Sequence, residues 1–380
     1  MISRLRVRHW LAVILGVTLL VVGWRAEVTV VSPEINTVGQ LEDATVAVAG
    51  ETIDRFPVEE NRTPAATRQE PVDIGPLAPF TGLPADQELL ARSALIIKID
   101  NHPSARPQTG LEMADIVFDI RAEGVTRFAA VFHSELPEPV GPVRSSRTSD
   151  FDILRGFDTP VYGSSGANNY VARGLRELPI VELTNRTRNE YFRDFSRPAP
   201  HNLFVDAPVL LGLAPDGLPR PQAWFDYRSE NEGLPATAER AIGPVEVAFT
   251  GSPVVSHVWD DRAGGWFRTQ DGRPHLTSDG DQLAPENVVI MVTDYSVSPA
   301  DATSPEVRST GTGELVVLTD GHIVEGTWSR PEPTDKPLLA DSAGQEISLT
   351  PGKTWVLMAE VDQVSFTEGQ QLADDGDETS

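Results

Sequence analysis

The sequence predicts an α+β protein, in which an N-terminal α/β-type domain is followed by a mainly antiparallel β domain, with an N-terminal membrane anchor. Three observations support this fold class. An apolar run follows three arginines at the chain start, short β-rich runs alternate with helical stretches up to about residue 215, and only strand-like runs follow residue 245. Alternating strands and helices are typical of α/β layers, whereas closely spaced strands with turn signals indicate antiparallel structure.

Residues 1–25 are predicted to be a signal anchor or transmembrane segment. Arg4, Arg6 and Arg8 precede the apolar run 10–24, WLAVILGVTLLVVGW. The bulky end of this run lacks the small-x-small pattern of a cleavage site, which favours an uncleaved anchor over a cleaved signal and a secreted protein. The positive charge before the run places the N-terminus in the cytoplasm and the later residues outside the cell.

Two acidic segments are predicted to be disordered. Counting from Arg25, ten acidic side chains accompany four arginines before residue 77, and residues 362–380 carry six acidic side chains with no lysine or arginine. Such segments extend by self-repulsion and lack the apolar surface needed to fold. We therefore interpret residues 26–76 as a linker and residues 361–380 as a tail.

Residues 77–215 are predicted to form the first domain, and residues 245–360 the second. The strands of the first domain are expected at Ala94–Asp100, Asp115–Ile120, Thr126–His133 and Asp158–Tyr162, with a helix within Asn168–Leu178. Those of the second domain are expected at Val245–Thr250, Ser256–Asp260, Gly265–Thr269, Val288–Asp294, Gly313–Thr319, His322–Trp328 and Thr354–Glu360. Residues 216–244 are the linker, with Trp224 and Phe225 packed against one domain. His257, His275 and His322 are predicted to be ordinary surface residues.

Composition excludes several functions. The net charge of −25 repels polyanions, so no nucleic-acid partner is expected. The absence of cysteine excludes disulfides, thiol catalysis, zinc–thiolate sites and iron–sulfur clusters. Because the histidines also lack a metal-ligand spacing, no metal and no cofactor are expected.

Four polar loops follow or precede the strands of the first domain, and arginine is their common feature. Planar guanidinium groups bind carboxylate or phosphate with paired hydrogen bonds, so these loops predict a site for an anionic ligand. The candidate ligand-binding residues are Asn101, Arg106, Arg127, Arg144, Ser145, Arg147 and Asn202. The alternative is that the arginines pair with nearby acids such as Asp100 and Glu123 in a structural network.

The same loops contain candidate catalytic residues. Asp100, His102, Glu123 and His201 have side chains suited to acid and base catalysis in a hydrolase or transferase. Two further alternatives remain open: a nucleophilic serine in the turn Gly163–Ala167, and a metal site formed by Asp100, His102, His133 and His201. Neither is supported by a complete motif.

Several long motifs, in order along the chain, resemble the YerB-like bacterial lipoproteins, a two-part family of unknown function. The motifs are PFTGLP (Pro79–Pro84), IDNHPSARPQTGL (Ile99–Leu111), GPVRSSR (Gly141–Arg147), APHN (Ala199–Asn202), NVVIMVTD (Asn287–Asp294), DGHIVEGTW (Asp320–Trp328) and LTPGKTW (Leu349–Trp355). The resemblance covers about residues 77–360. It implies a membrane-attached extracytoplasmic protein with an α/β domain and a β domain. This chain has no cysteine to carry a lipid, so residues 10–24 are expected to provide the membrane contact.

The sequence therefore predicts an uncharacterised cell-envelope protein, tethered to the membrane, that acts as a binding or scaffold module for an anionic envelope ligand. One alternative is an envelope hydrolase or transferase. Another is an assembly partner of a second envelope protein.

Overall fold

The structure is a computed structural model that describes residues 75–367 except Thr187. The predicted anchor, residues 26–74 of the predicted linker and residues 368–380 of the predicted tail lie outside these residues. The start of the tail is not disordered as predicted, because Val364–Ser365 forms a short strand that pairs with residues 246–247. Among the described residues, no helix has the length and apolar character needed to cross a bilayer.

Strands dominate the structure. In chain order they are β1 (Leu95–Asp100), β2 (Ile116–Arg121), β3 (Thr126–Phe132), β4 (Val161–Ser164), β5 (Val181–Thr184), β6 (Phe192–Arg193), β7 (Leu203–Phe204), β8 (Glu239–Arg240), β9 (Val245–Ala248), β10 (Val254–Asp260), β11 (Gly265–Gln270), β12 (Arg273–Pro274), β13 (Asn287–Val292), β14 (Tyr295–Ser298), β15 (Asp301–Val307), β16 (Gly311–Thr319), β17 (His322–Arg330), β18 (Leu338–Asp341), β19 (Thr354–Ala359) and β20 (Val364–Ser365). The helices are short: α1 (Gln87–Ala91), α2 (Asp150–Arg155), α3 (Asn169–Leu175) and α4 (Ala207–Leu211), with 3₁₀ turns at Pro103–Ala105 and Leu111–Met113.

One large sheet runs through the described part of the chain in the order β18-β17-β16-β13-β19-β2-β3-β1-β4-β5, with β8 paired to β17. Strands from residues 77–215 and from residues 245–360 meet where β19 pairs with β2 in parallel, from Thr354 opposite Ile116 to Leu357 opposite Asp119. The two segments that the sequence distinguishes therefore share one sheet.

A second sheet, β12-β11-β10-β9-β20, covers one face of the large sheet together with α4, and helices α2 and α3 cover the other. On the first face, Val247 and Trp266 belong to the same buried cluster as Phe128 and Trp355. On the opposite face, Leu154 of α2 and Leu175 of α3 belong to a cluster with strand residues of the large sheet. Because both faces are covered, all seven residues of β3 are buried.

The structure confirms the mixed α and β class, with far more strand than helix. Trp224 is buried as predicted, stacked 4.4 Å from the Phe157 ring. Two expectations for residues 245–360 are wrong in part. β19 pairs in parallel with both of its neighbours, and His257 and His275 are buried between the sheets rather than exposed.

Candidate functional site

The candidate site lies at the carboxyl ends of three parallel strands, β1, β4 and β5. Ligand sites of open α/β sheets typically lie at this edge. The segment carrying Arg144 and Ser145 passes between the ends of β1 and β4. Arg144 N–H donates to the Lys98 carbonyl (2.7 Å), and Ser165 N–H donates to the Arg144 carbonyl (3.0 Å). The backbone therefore fixes these two polar residues at the sheet edge.

Asp100, the last residue of β1, is the centre of a cluster that also contains His102, Arg144 and His201; we call it the Asp100 cluster. The Asp100 side chain is buried, and its Oδ2 lies 2.7 Å from His201 Nδ1 and 3.2 Å from Arg144 Nε. The arginine contact is an ion pair without hydrogen-bond alignment. The other carboxylate oxygen of Asp100, Oδ1, accepts the His102 N–H (3.0 Å). One buried carboxylate thus positions an arginine and a histidine from two other loops.

The two histidines of the cluster stack on each other and differ in their hydrogen bonds. Their ring centroids lie 4.1 Å apart at 12°. His102 Nδ1 accepts the Ser104 N–H, so its neutral form carries hydrogen on Nε2. Burial and then the neighbouring His201 lower the pKa of His102. His201 directs Nδ1 to the carboxylate, which leaves its Nε2 available to a ligand.

The loop after β1 is held by side chains that meet inside the protein. Asn101 is buried, and its amide nitrogen donates to Thr126 (2.7 Å). Its side-chain oxygen accepts from Arg106 Nε (3.1 Å) and from Gln108 (3.3 Å). The Asn101 and Arg106 side chains are therefore occupied in fixing the loop conformation, and the remaining Arg106 Nη1 lies 3.5 Å from Asp271.

A second group, the Glu123 cluster, contains Glu123, Arg127, Arg147 and Ser304. Arg147 binds Glu123 through both Nε (2.5 Å) and Nη2 (2.9 Å), and Arg127 Nη2 binds it at 2.9 Å. Burial would raise the pKa of Glu123, but hydrogen bonds from Arg147 and Ser304 and the charge of Arg127 lower it to about 2. Burial, followed by the charge of Arg147, lowers the pKa of Arg127 to about 10.

The hairpin of β6 and β7 supplies His201 to the Asp100 cluster. Arg197 Nη1 ties this hairpin to the loop after β1 by donating to the carbonyls of Ala105 (3.0 Å) and Pro107 (2.9 Å). Asn202 accepts from Arg193 (2.7 Å) and donates to the Arg197 carbonyl (3.2 Å), so its hydrogen bonds are used inside the hairpin.

The structure thus brings Asp100, His102, Arg144 and His201 together and groups Glu123, Arg127 and Arg147 beside them. Ser145 links the groups, since its carbonyl accepts from Arg127 (3.0 Å) and its hydroxyl contacts Ser165 (3.1 Å). His133 lies elsewhere, against Arg92 and Phe80. Among the described residues, no group of three or more His, Cys, Asp or Glu side chains is arranged to hold a metal ion.

Sequence reasoning missed a buried network behind the site. Gln108 Nε2 donates to the Asp100 carbonyl (3.0 Å), and Gln108 Oε1 accepts from His275 Nε2 (2.8 Å). Arg268 then donates to His275 Nδ1 (3.0 Å) and to Asp119 (2.5 Å). Two of these contacts, Gln108 with His275 and Arg268 with Asp119, join residues more than a hundred positions apart, so no local pattern indicates the network.

The chain belongs to a two-part family of proteins of unknown function. The N-terminal domain of the family described as protein of unknown function (DUF3048) matches residues 80–216, and its C-terminal domain matches residues 245–356. The resemblance seen in the sequence is therefore confirmed.

A relative and a solved structure agree with this assignment. The chain is 29% identical over 310 residues to the "Putative lipoprotein YerB" of Bacillus subtilis (strain 168), covering 77% of this chain and 89% of that protein. It is also similar to the crystal structure of the YerB protein from Bacillus subtilis, with a TM-score of 0.66, 25% identity, and coverage of 77% of this chain and all of that one.

Proposed function

We propose that this protein is an extracytoplasmic, membrane-tethered envelope protein that binds an anionic envelope ligand at the Asp100 cluster. The observation that carries the proposal is the sharing of Asp100 Oδ2 by Arg144 and His201. Both side chains are held by a buried carboxylate, yet they remain 24% and 13% exposed. In this proposal the ligand binds to the nitrogens of Arg144 and His201 that do not contact Asp100, and the carboxylate holds both side chains in position before the ligand arrives.

Arg144 is the principal anion contact in this proposal. Only its Nε meets Asp100, and its two terminal nitrogens have no hydrogen-bond partner among the described residues. Two such nitrogens match the oxygens of a carboxylate or phosphate. Arg147 and Arg127 are engaged by Glu123, so they contribute positive potential and loop rigidity rather than direct contacts.

Two observations support the proposed location at the membrane, one on a relative and one on this chain. The similar Bacillus subtilis protein is named a lipoprotein, which is a membrane-attached class of protein. In this chain the apolar run 10–24 provides the equivalent attachment, and the positive charges before it direct the folded part outside the cell.

Arg144→Ala tests the binding proposal in the full chain. Thermal unfolding is followed with two kinds of probe: poly(glycerol phosphate), and a wall-type peptide with free carboxylates. A ligand at 100 times its Kd stabilises the folded state by about 2.7 kcal/mol. We expect one probe to raise Tm in the wild type and in the control Arg155→Ala, and to leave Tm unchanged in Arg144→Ala. Equal responses of all three proteins, or no response to either probe, would contradict the proposal.

A second function, an envelope hydrolase or transferase, is favoured by the Asp100–His201 pair. A carboxylate that orients Nδ1 leaves Nε2 as a general base, as in many acid–base sites. In that case His201→Gln abolishes turnover of the bound ligand, whereas a pure binder shows no turnover in the wild type. Zymography and phosphate-release assays on the same probes distinguish the two functions.

A further inference from the structure

We infer that the protein has a second ligand site, for a small organic acid with an apolar body, in the cavity between the loop Pro103–Pro107 and residues 270–280. The cavity is lined by neither Arg144 nor His201. The inference therefore goes beyond the proposed function and does not depend on it.

The cavity has the size and walls of a small-molecule site. Its volume is about 680 Å³, within the range of roughly 300–1,000 Å³ that is typical of ligand pockets. Apolar wall surface comes from Pro103 and Pro107 on one side and from Pro274 and Leu276 on the other. The ring of each of the three prolines is stiff, so most of this apolar wall favours a flat or compact apolar group.

The charge in the cavity favours an acid. Arg106 and Arg273 both line it, whereas Asp271 is the single carboxylate among the lining residues. Asp271 lies 3.5 Å from Arg106 Nη1. The exposed Arg273 side chain forms no ion pair or hydrogen bond with any residue of the described ranges. One positive charge therefore remains for a ligand, which matches a monoanion.

The inner end of the cavity is fixed before any ligand arrives. Arg106 is held through Nε and Nη2 by the Asn101 side chain and carbonyl (3.1 and 2.9 Å). His275 is buried, with Nδ1 accepting from Arg268 and Nε2 donating to Gln108. Because both nitrogens of His275 are used and Arg106 is engaged by Asn101 and Asp271, Arg273 is the charged side chain left to bind the acid group. A prepared site of this kind loses little conformational entropy on binding.

The test uses the full chain and isothermal titration calorimetry with three probes. The first, 2-naphthoate, has both the acid and the apolar body. The second, 2-naphthalenemethanol, has the body without the charge, and acetate has the charge without the body. We expect one molecule of 2-naphthoate to bind per chain and each of the other probes to bind at least about tenfold more weakly, the effect of losing one good contact.

Two variants locate the site. Arg273→Ala and Leu276→Asp are expected to weaken 2-naphthoate binding by about tenfold each. Both side chains are exposed, so the fold should tolerate the changes. The matched controls are Arg262→Ala, an exposed arginine on the β10–β11 turn, and Ile242→Asp, an exposed apolar residue elsewhere. Both controls are expected to bind as the wild type does.

Three results would overturn the inference: no binding of 2-naphthoate, equal binding by all variants, or a loss confined to Arg144→Ala. The last result would assign the probe to the Asp100 cluster instead. The two proposals can also fail separately. If Arg144→Ala still binds 2-naphthoate, but neither poly(glycerol phosphate) nor the wall-type peptide binds the wild type, the cavity site is supported and the proposed function is contradicted.

Discussion

Glu123 determines which arginines are available to a ligand. Its carboxylate engages Arg127 and Arg147, whereas Asp100 engages only the Nε of Arg144. Similar arginines in neighbouring loops therefore have different roles. The Arg147 guanidinium stabilises the loop arrangement, and the Arg144 guanidinium remains open to solvent.

This assignment predicts a pH dependence of stability that originates at Glu123. The folded-state pKa of about 2 lies below the ordinary value of 4.5, so the stabilisation is complete above pH 4.5 and is lost as pH falls toward 2. The contribution is on the order of 1–3 kcal/mol. Urea unfolding of the wild type and Glu123→Gln between pH 6 and 2 measures it. We expect the free energies of unfolding to converge at low pH.

The control for this experiment is Glu230→Gln, which changes an exposed glutamate away from the site. Its free energy of unfolding should follow that of the wild type at every pH. If Glu123→Gln also runs parallel to the wild type down to pH 2, the Glu123 cluster does not stabilise the fold.

At the residue scale, the sequence predicted the polar loops but not their pairing. Asp100, His102 and His201 were candidates because short, proline-containing loops present them. Arg144 is available to a ligand and Arg147 is not, because Arg147 pairs with Glu123, which lies 24 residues away in the sequence. A sequence pattern does not reveal this contact, because the contact depends on the pairing of β1 with β3 and on the course of the segment after Gly141.

Among the elements, β17 offers a sharp test of strand pairing. Gly326 lies opposite Asp341 of β18, and a Cβ atom placed on Gly326 would overlap the Ala340 carbonyl oxygen. Backbone cannot move aside as a side chain can. Gly326→Ala is therefore expected to destabilise the protein by roughly 1–3 kcal/mol. Gly243→Ala, where a Cβ meets nothing within 4 Å, is the control.

Chemical denaturation of both variants measures this difference. Gly326→Ala should lower the denaturation midpoint, and Gly243→Ala should leave it near the wild-type value. Equal midpoints for Gly326→Ala and the wild type would mean that β18 can separate from β17 without cost.

Strands with a strong apolar pattern could be predicted from the sequence, whereas a hairpin with largely exposed residues could not. Strands β1, β2, β3 and β16 lie where the sequence places them, within a few residues. The β14–β15 hairpin was missed, because its residues are largely exposed and lack an apolar alternation. It is held by tertiary hydrogen bonds, such as Thr148 to Ser298 (2.8 Å) and Val307 N–H to Ser149 (3.0 Å).

At the scale of the whole molecule, the central fact is that the two family segments complete each other's structure. Strand β19 lies between β13 of its own segment and β2 of the other, and Trp355 of β19 packs 5.2 Å from the Phe128 ring of β3. The sequence separates the segments by a change of texture near residue 215. It carries no signal for their pairing, because parallel strands more than two hundred residues apart share no local pattern.

The buried pair of Arg268 and Asp119 couples the two segments energetically. Arg268 of β11 donates to Asp119 of β2 (2.5 Å), and both side chains are fully buried. The Arg268 guanidinium also lies 4.6 Å from the Trp355 ring. Removing one member of such a pair leaves an uncompensated buried charge and costs about 3–5 kcal/mol. We therefore expect Arg268→Met to destabilise residues 77–215 as much as residues 245–360.

The measurement is urea unfolding of the full chain, followed by far-UV circular dichroism and by tryptophan fluorescence. In the wild type both signals should change in one transition, and in Arg268→Met both should shift together to lower urea. The double variant Arg268→Met with Asp119→Asn should recover part of the loss, because the unpaired charge is gone. Two separated transitions in the wild type would show that the segments fold independently. In that case the shared sheet would be a contact between two stable domains rather than the basis of a single cooperative unit.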